Sequence, residues 1–161
     1  MLERCKSAKE RWGGVSEIID RWLNERQQLI VLYCDINGIH GFRDADSTPT
    51  PVRIQRFCQI LLDYTSAGHF EVYEQLAAEA REFNDDAGIR LLERIYPRIE
   101  QITQICVAFN DRYDTTEHCE QLASDLPNEL SRIGEVLEER FALEDQLIET
   151  LHDAHRELVA S

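Results

Sequence analysis

One interval in this chain matches a metal-binding pattern, Glu149-Thr150-Leu151-His152. Di-iron helical bundles place a Glu-x-x-His pair on each of two helices and add two further glutamates, all facing inward. Here the second pair is missing, because His40, His69, His118 and His155 have no glutamate three residues before them. A single such pair in a glutamate-rich helix is close to what chance supplies. A metal-binding bundle of hemerythrin or di-iron type is therefore kept as the alternative, and no metal ligand is assigned. The five cysteines, Cys5, Cys34, Cys58, Cys106 and Cys119, are far apart and form no CxxC or CxxCH spacing. They read as reduced thiols, with Cys58 and Cys106 as small core residues. Phosphate-binding GxxxxGK[ST] and GxGxxG loops are absent, as is the GxSxG elbow. No arrangement of Ser, His and Asp suggests a triad, so the expectation is a protein with no cofactor that is not an enzyme.

The elements that would carry these residues are helical. Apolar residues at intervals of three and four mark four long segments, at about 4–36, 51–83, 86–113 and 127–158. In the first, Val15, Ile18, Ile19, Trp22, Leu29, Ile30 and Tyr33 form the stripe, with Gly13-Gly14 as a weak point. Residues 37–51, with two glycines and two prolines, read as a loop. The second helix would bury Cys58, Leu61, Thr65, Gly68, His69, Val72 and Leu76. Asn84-Asp85-Asp86 then supplies a stop and an N-cap. The third carries Leu92, Ile95, Ile99, Ile102, Cys106, Phe109 and Tyr113, and Pro97 should kink it. A short helical piece at about 116–124 precedes the last helix, which begins at Pro127 with the stripe Leu130, Ile133, Leu137, Phe141, Leu147 or Ile148, Leu151 and Leu158. The expected fold is all-α: one domain over 1–161, an antiparallel up-down four-helix bundle with long, partly kinked helices.

Charge narrows the partners. The net charge is −14, and residues 51–161 hold 23 acids against 10 bases, whereas residues 1–50 hold 8 against 7. Such a surface repels phosphate, so direct nucleic-acid binding is not expected and basic protein surfaces are favoured. No run of 18 apolar residues occurs, and the N-terminus lacks an apolar signal-peptide core, which together suggest a cytoplasmic protein that does not engage membranes.

Helix two holds two anomalies. His69 falls on the apolar stripe, and Glu144 interrupts the stripe of the last helix, so a buried His69–Glu144 hydrogen bond would satisfy both. The opposite face of helix two reads Ile60, Asp63, Ala67, Phe70 and Glu74. Apolar residues flanked by carboxylates on an outward face are the composition of a protein-binding surface. Burial of helix two on more than one side would explain the same pattern.

The string Leu62-Asp63-Tyr64-Thr65-Ser66-Ala67-Gly68-His69-Phe70-Glu71-Val72-Tyr73-Glu74 resembles the central signature of the Rsd/AlgQ family of bacterial anti-sigma factors. Asp20-Arg21-Trp22-Leu23 and the stretch Ile133 to Asp145 agree at corresponding places, and the resemblance covers nearly the whole chain. Trp12-Gly13-Gly14 and Leu151-His152-Asp153-Ala154-His155 fit the AlgQ branch, which is linked to alginate and virulence control. The resemblance implies a helical bundle that binds the housekeeping sigma factor of RNA polymerase, chiefly its basic region four. It would block promoter and core polymerase contacts and so favour alternative sigma factors. It also implies a sigma-binding surface of Asp63, Tyr64, Ser66, Ala67, Phe70, Glu71 and Glu74, to which the outward face adds Ile60. The chain would act as a monomer or weak homodimer.

Overall fold

Helices whose apolar residues recur at three and four bury one stripe each, and four such rods close on a common core. The structure, a computed structural model, describes residues 2–37 and 50–155, and the side chains of 14–37 and 51–155. Helix α1 is Leu2–Ile36, α2 Thr50–Ala67, α3 Tyr73–Glu82, α4 Asp86–Tyr113, α5 Thr116–Gln121 and α6 Leu126–Leu147. A π turn, Gly68–Val72, joins α2 to α3 in one rod, and a second, Ile148–His152, extends α6 into a short 3-10 turn at Asp153–His155. There is no strand among the described residues.

Pairings along the rods show that neighbours run antiparallel. Trp22 meets Tyr64 while Tyr33 meets Phe57, so α1 and α2 run oppositely. Phe57 packs on Phe109 and Tyr73 on Tyr96, which does the same for α4. Arg98 pairs with Glu139 and Arg112 with Glu129, fixing α6 against α4. Arg26 with Asp145, and Tyr33 with the carbonyl of Leu130, close α6 back onto α1. Tyr33 reaches that carbonyl because residue 134 is glycine; a Cβ there would lie 2.1 Å from the Tyr33 hydroxyl oxygen.

Helix α4 matches its expected range at both ends, whereas the last helix passes into a π turn at Ile148 and its expected end at 158 lies outside the described residues. The α3–α4 turn follows from its residues. Asn84 takes φ 55°, and Asp85 N–H returns to the Ala80 carbonyl while Asn84 N–H returns to Arg81. This is a Schellman stop with asparagine in the left-handed position. Asp85 then caps α4, its Oδ1 accepting from Gly88 N–H at 2.8 Å. Gly14 lies within α1 and Pro97 within α4, and neither ends its helix. The expected loop falls outside the described residues over 38–49, as do His40 and Leu158 and the side chains of Cys5 and Trp12. Cys58, Cys106 and Cys119 are buried, and burial pushes the Cys58 and Cys106 thiols up to about 12 and about 11.

Two charged residues sit at the centre of the core. Arg140 and Glu144, one turn apart on α6, are both fully buried, with Arg140 Nε donating to Glu144 Oε2 at 3.0 Å. The Tyr64 hydroxyl donates to Glu144 Oε1 at 2.6 Å and accepts from Arg26 Nε at 2.9 Å. The Tyr73 hydroxyl donates to Glu144 Oε2 and accepts from Arg140 Nη2. Arg140 Nη1 completes the set at Thr103 Oγ1, 2.7 Å away on α4. Burial opposes the charge of Arg140, but the Glu144 carboxylate together with Tyr73 and Cys106 more than offsets it and raises the guanidinium above its ordinary value. Burial, then the same carboxylate, drives the Tyr64 and Tyr73 phenols well above theirs.

The expected His69–Glu144 bond does not form. Tyr64, Tyr73 and Arg140 take the lone pairs of Glu144, and His69, half-buried, shares its Nδ1 with the Tyr96 hydroxyl at 2.9 Å. The reason is the π turn. Tyr73 N–H bonds to Gly68 O, five residues back, so the inward register advances by one residue. Tyr73 then faces Glu144 and His69 faces α4. Removing one partner of a buried, hydrogen-bonded ion pair leaves an uncompensated charge. Arg140→Ala should therefore lose about 3–5 kcal/mol of unfolding free energy in urea titration. A loss under about 1 kcal/mol would mean that the network is incidental to stability.

Candidate protein-binding surface

With Tyr64, Val72 and Tyr73 committed to the interior, the rest of segment 62–74 is sorted by elimination. Asp63, Phe70, Glu71 and Glu74 are exposed, Ser66 and Ala67 are half-buried, and Thr65 and Gly68 are buried. Phe70 stands out because 68% of its surface is open, the largest exposure among the described large apolar side chains. Leu62, at 39%, adds a second apolar group on the same rod. The Phe70 ring is propped edge-on by His69, with centroids 4.7 Å apart. It is held in place on a rigid element instead of hanging from a loop. Gly68 allows this part of the rod to sit tightly on the core, since a Cβ there would lie 3.1 Å from both the Trp22 ring and the Tyr73 hydroxyl.

Three sequence-based assignments are corrected. Tyr64 is fully buried, stacked on Trp22 at 4.9 Å and 4° with its hydroxyl on Glu144, so it cannot touch a partner. Ile60 is half-buried and packs against the core, as does Ala67. The cause is that α2 lies between α1 and α4 and is covered on both sides. The outward strip is thus narrower than a helical-wheel reading suggests: Asp63, Ser66, Phe70, Glu71 and Glu74.

One contributor came from another helix. Glu25, on α1, lies close enough to Asp63 and Glu71 that burial, then these two charges, raises its carboxyl above the ordinary value, with Arg21 partly offsetting them. Its Oε2 is sealed from water without a hydrogen-bond partner. Like-charged carboxylates brought together repel one another, and an incoming cation relieves that repulsion. Nothing in the local sequence marks Glu25, because its neighbours belong to a helix that is about 40 residues away along the chain.

The Glu149–His152 pair does not form a metal centre. Glu149 is exposed, whereas His152 is buried with its Nδ1 3.0 Å from Glu79 Oε2. Among the described residues, no group of three or more His, Cys, Asp or Glu is placed to hold a metal ion. His155 joins the same polar cluster, with Nε2 3.0 Å from Asp85 Oδ2, and ties the end of the described chain to the α3–α4 turn. No helix among the described residues is long and apolar enough to cross a membrane.

The family model described as "Regulator of RNA polymerase sigma(70) subunit, Rsd/AlgQ" matches residues 1–152. A "Regulator of sigma D" from Yersinia pseudotuberculosis is 38% identical over 149 residues, covering 92% of this chain and 88% of that protein. A protein of the same name from Yersinia enterocolitica is 37% identical, covering 92% and 89%. Another, from Pectobacterium carotovorum, is 35% identical over 153 residues, covering 95% and 99%. The chain belongs to the Rsd/AlgQ family of regulators of the sigma(70) subunit.

The raised Glu25 carboxyl has a definite sign. The folded state holds that proton more tightly than the unfolded chain, so this group costs stability at neutral pH and the cost vanishes as pH falls through the carboxylate range. Glu25→Gln should be at least as stable as wild type at pH 7, by up to about 0.5 kcal/mol, with the difference closing below about pH 4.5. Urea midpoints at several pH values would check this. A lower midpoint for the variant at pH 7 would show that Glu25 has a stabilising partner in the free protein.

Proposed function

We propose that this member of the Rsd/AlgQ family binds the housekeeping sigma factor through Asp63, Ser66, Phe70, Glu71 and Glu74, with Glu25 beside them. It acts as a cytoplasmic anti-sigma regulator and not as an enzyme. The observation that carries the reading is Phe70, two-thirds exposed on a helical rod whose exposed positions also hold Asp63, Glu71 and Glu74. An aromatic anchor of this kind fills a pocket on a partner, and the surrounding acids pair with basic side chains. Region four of sigma, the basic helix-turn-helix that reads promoter DNA, presents such a surface. Carboxylates that engage its arginines would take the place of DNA phosphates and leave core polymerase free for alternative sigma factors. The relatives that carry the name "Regulator of sigma D" support the partner, and the net charge of −14 supports its sign. The protein works as a monomer or weak homodimer in this reading.

Isolated sigma region four should bind the purified chain at micromolar concentration or below, with an affinity that falls as salt rises. Phe70→Ala and Asp63→Ala should each weaken it by about 2 kcal/mol, roughly 30-fold, while helicity and melting temperature stay close to wild type. No binding by wild type would remove the sigma reading. Unchanged affinity in both variants would move the surface elsewhere.

A further inference from the structure

Beside Phe70, the rod formed by the first π turn and α3 does not close tightly on α4. A groove of about 460 Å³ opens there, lined by His69, Tyr73, Glu74, Leu92, Tyr96 and Pro97. Three rings face this space from adjoining positions. His69 lies over Tyr96 at 5.9 Å and 27°, and Tyr73 meets Tyr96 edge-on at 6.2 Å. Exposed carboxylates stand at the rim, Glu74 from α3 and Glu93 from α4. Glu74 and Glu93 are the carboxylates that line the groove, and no lysine or arginine lines it. The Tyr96 phenol is pushed up by burial first and then by Glu100, with Arg140 opposing and Glu74 adding a smaller push. Arg140 stays in the core, where it is fully buried and donates to Glu144, Tyr73 and Thr103, and does not line the groove.

We infer that this groove seats an arginine side chain of the basic partner, stacked on the His69 and Tyr96 rings with its guanidinium between Glu74 and Glu93. The inference rests on the sigma-binding reading and adds to it a second, specific subsite next to the Phe70 anchor. The chemistry selects the occupant. A purely apolar side chain would cover the rings but strip water from two carboxylates without compensation. An anion would be repelled. Arginine lays its methylene stem along Leu92 and Pro97, offers a planar face to the rings and presents fork-shaped donors to the acids. Lysine has neither the plane nor the fork. Glu74 belongs to both sites, so anchor and subsite form one continuous surface across the first π turn.

The test is affinity for isolated sigma region four, measured by fluorescence anisotropy at about 0.1 M salt, where exposed charges are only partly screened. Glu93→Arg should weaken binding at least tenfold, whereas Glu120→Arg, the same charge change on exposed α5, should weaken it less than twofold. Tyr96→Leu should weaken it several-fold. One Arg→Lys substitution in the partner should cost at least fivefold against wild type but under twofold against Tyr96→Leu, the non-additivity of groups in contact. Melting curves confirm that each variant is folded, and the exposed Glu93 carries the test if Tyr96→Leu is destabilised. Equal effects of Glu93→Arg and Glu120→Arg, or strict additivity for every partner arginine, would overturn the arginine seat. If Phe70→Ala weakens binding while the groove variants do not, the seat fails and the sigma reading stands. No wild-type binding defeats both.

Discussion

The buried pair Arg140–Glu144 is the constraint on which the rest of this bundle depends. Neither residue reaches solvent, so each must find all its partners inside the protein or impose a penalty of several kcal/mol. The partners come from the other rods: Arg26 from α1, as an ion pair to Glu144 at 3.5 Å, Tyr64 and Tyr73 from the α2–α3 rod, and Thr103 from α4. An apolar core tolerates sliding and rotation of helices that keep volume filled. A charged network with defined donors and acceptors does not, because a one-residue shift leaves several buried groups unpaired at once. In this bundle, hydrophobic burial supplies the driving force, and the network sets the register.

That register determines what faces out. Both tyrosines of the 62–74 segment must turn inward to reach the two oxygens of Glu144, although they are nine residues apart, an awkward interval for a regular α-helix. The π turn at Gly68–Val72 accommodates them by adding one residue to the turn. The same adjustment carries His69 across to Tyr96 and leaves Phe70 standing free. The exposed phenylalanine is therefore a consequence of satisfying a buried carboxylate. What the outer face displays is thus set by chemistry on the inner one, and π turns are frequent at functional sites.

The far end of the bundle shows a second use of polar contacts. Glu79, Asp85, His152 and His155 join α3 and the α3–α4 turn to the second π turn and the 3-10 turn that follows it. Asp85 is held below the usual carboxylate range mainly by the Gly88 amide, with His155 assisting. One side chain thus caps α4 and anchors the chain's last described turn.

Much of this was legible in the sequence. The three-and-four spacing of α4 and the Asn84-Asp85 stop located helices to within a residue or two, because periodicity and capping are local properties. Charge located the acid on residues 51–161, and the 62–74 string carried the family. The pairing of buried polar groups was not legible. His69 and Glu144 both interrupt apolar stripes, which flags them as buried and in need of partners, but which partner each finds depends on distances between helices. Arg140 gave no signal, since an arginine in an acidic helix reads as solvated until three other rods surround it. The resemblance placed Tyr64 and Phe70 on one binding surface, and only the packed structure separates them, with Tyr64 turned in to Glu144 and Phe70 left outside. The sequence by itself determined that four amphipathic helices would bury their stripes and present an acidic exterior. The tertiary structure decided which tyrosines fed Glu144, and so which residues were left to meet a partner, because hydrogen bonds between rods depend on positions that no single helix specifies.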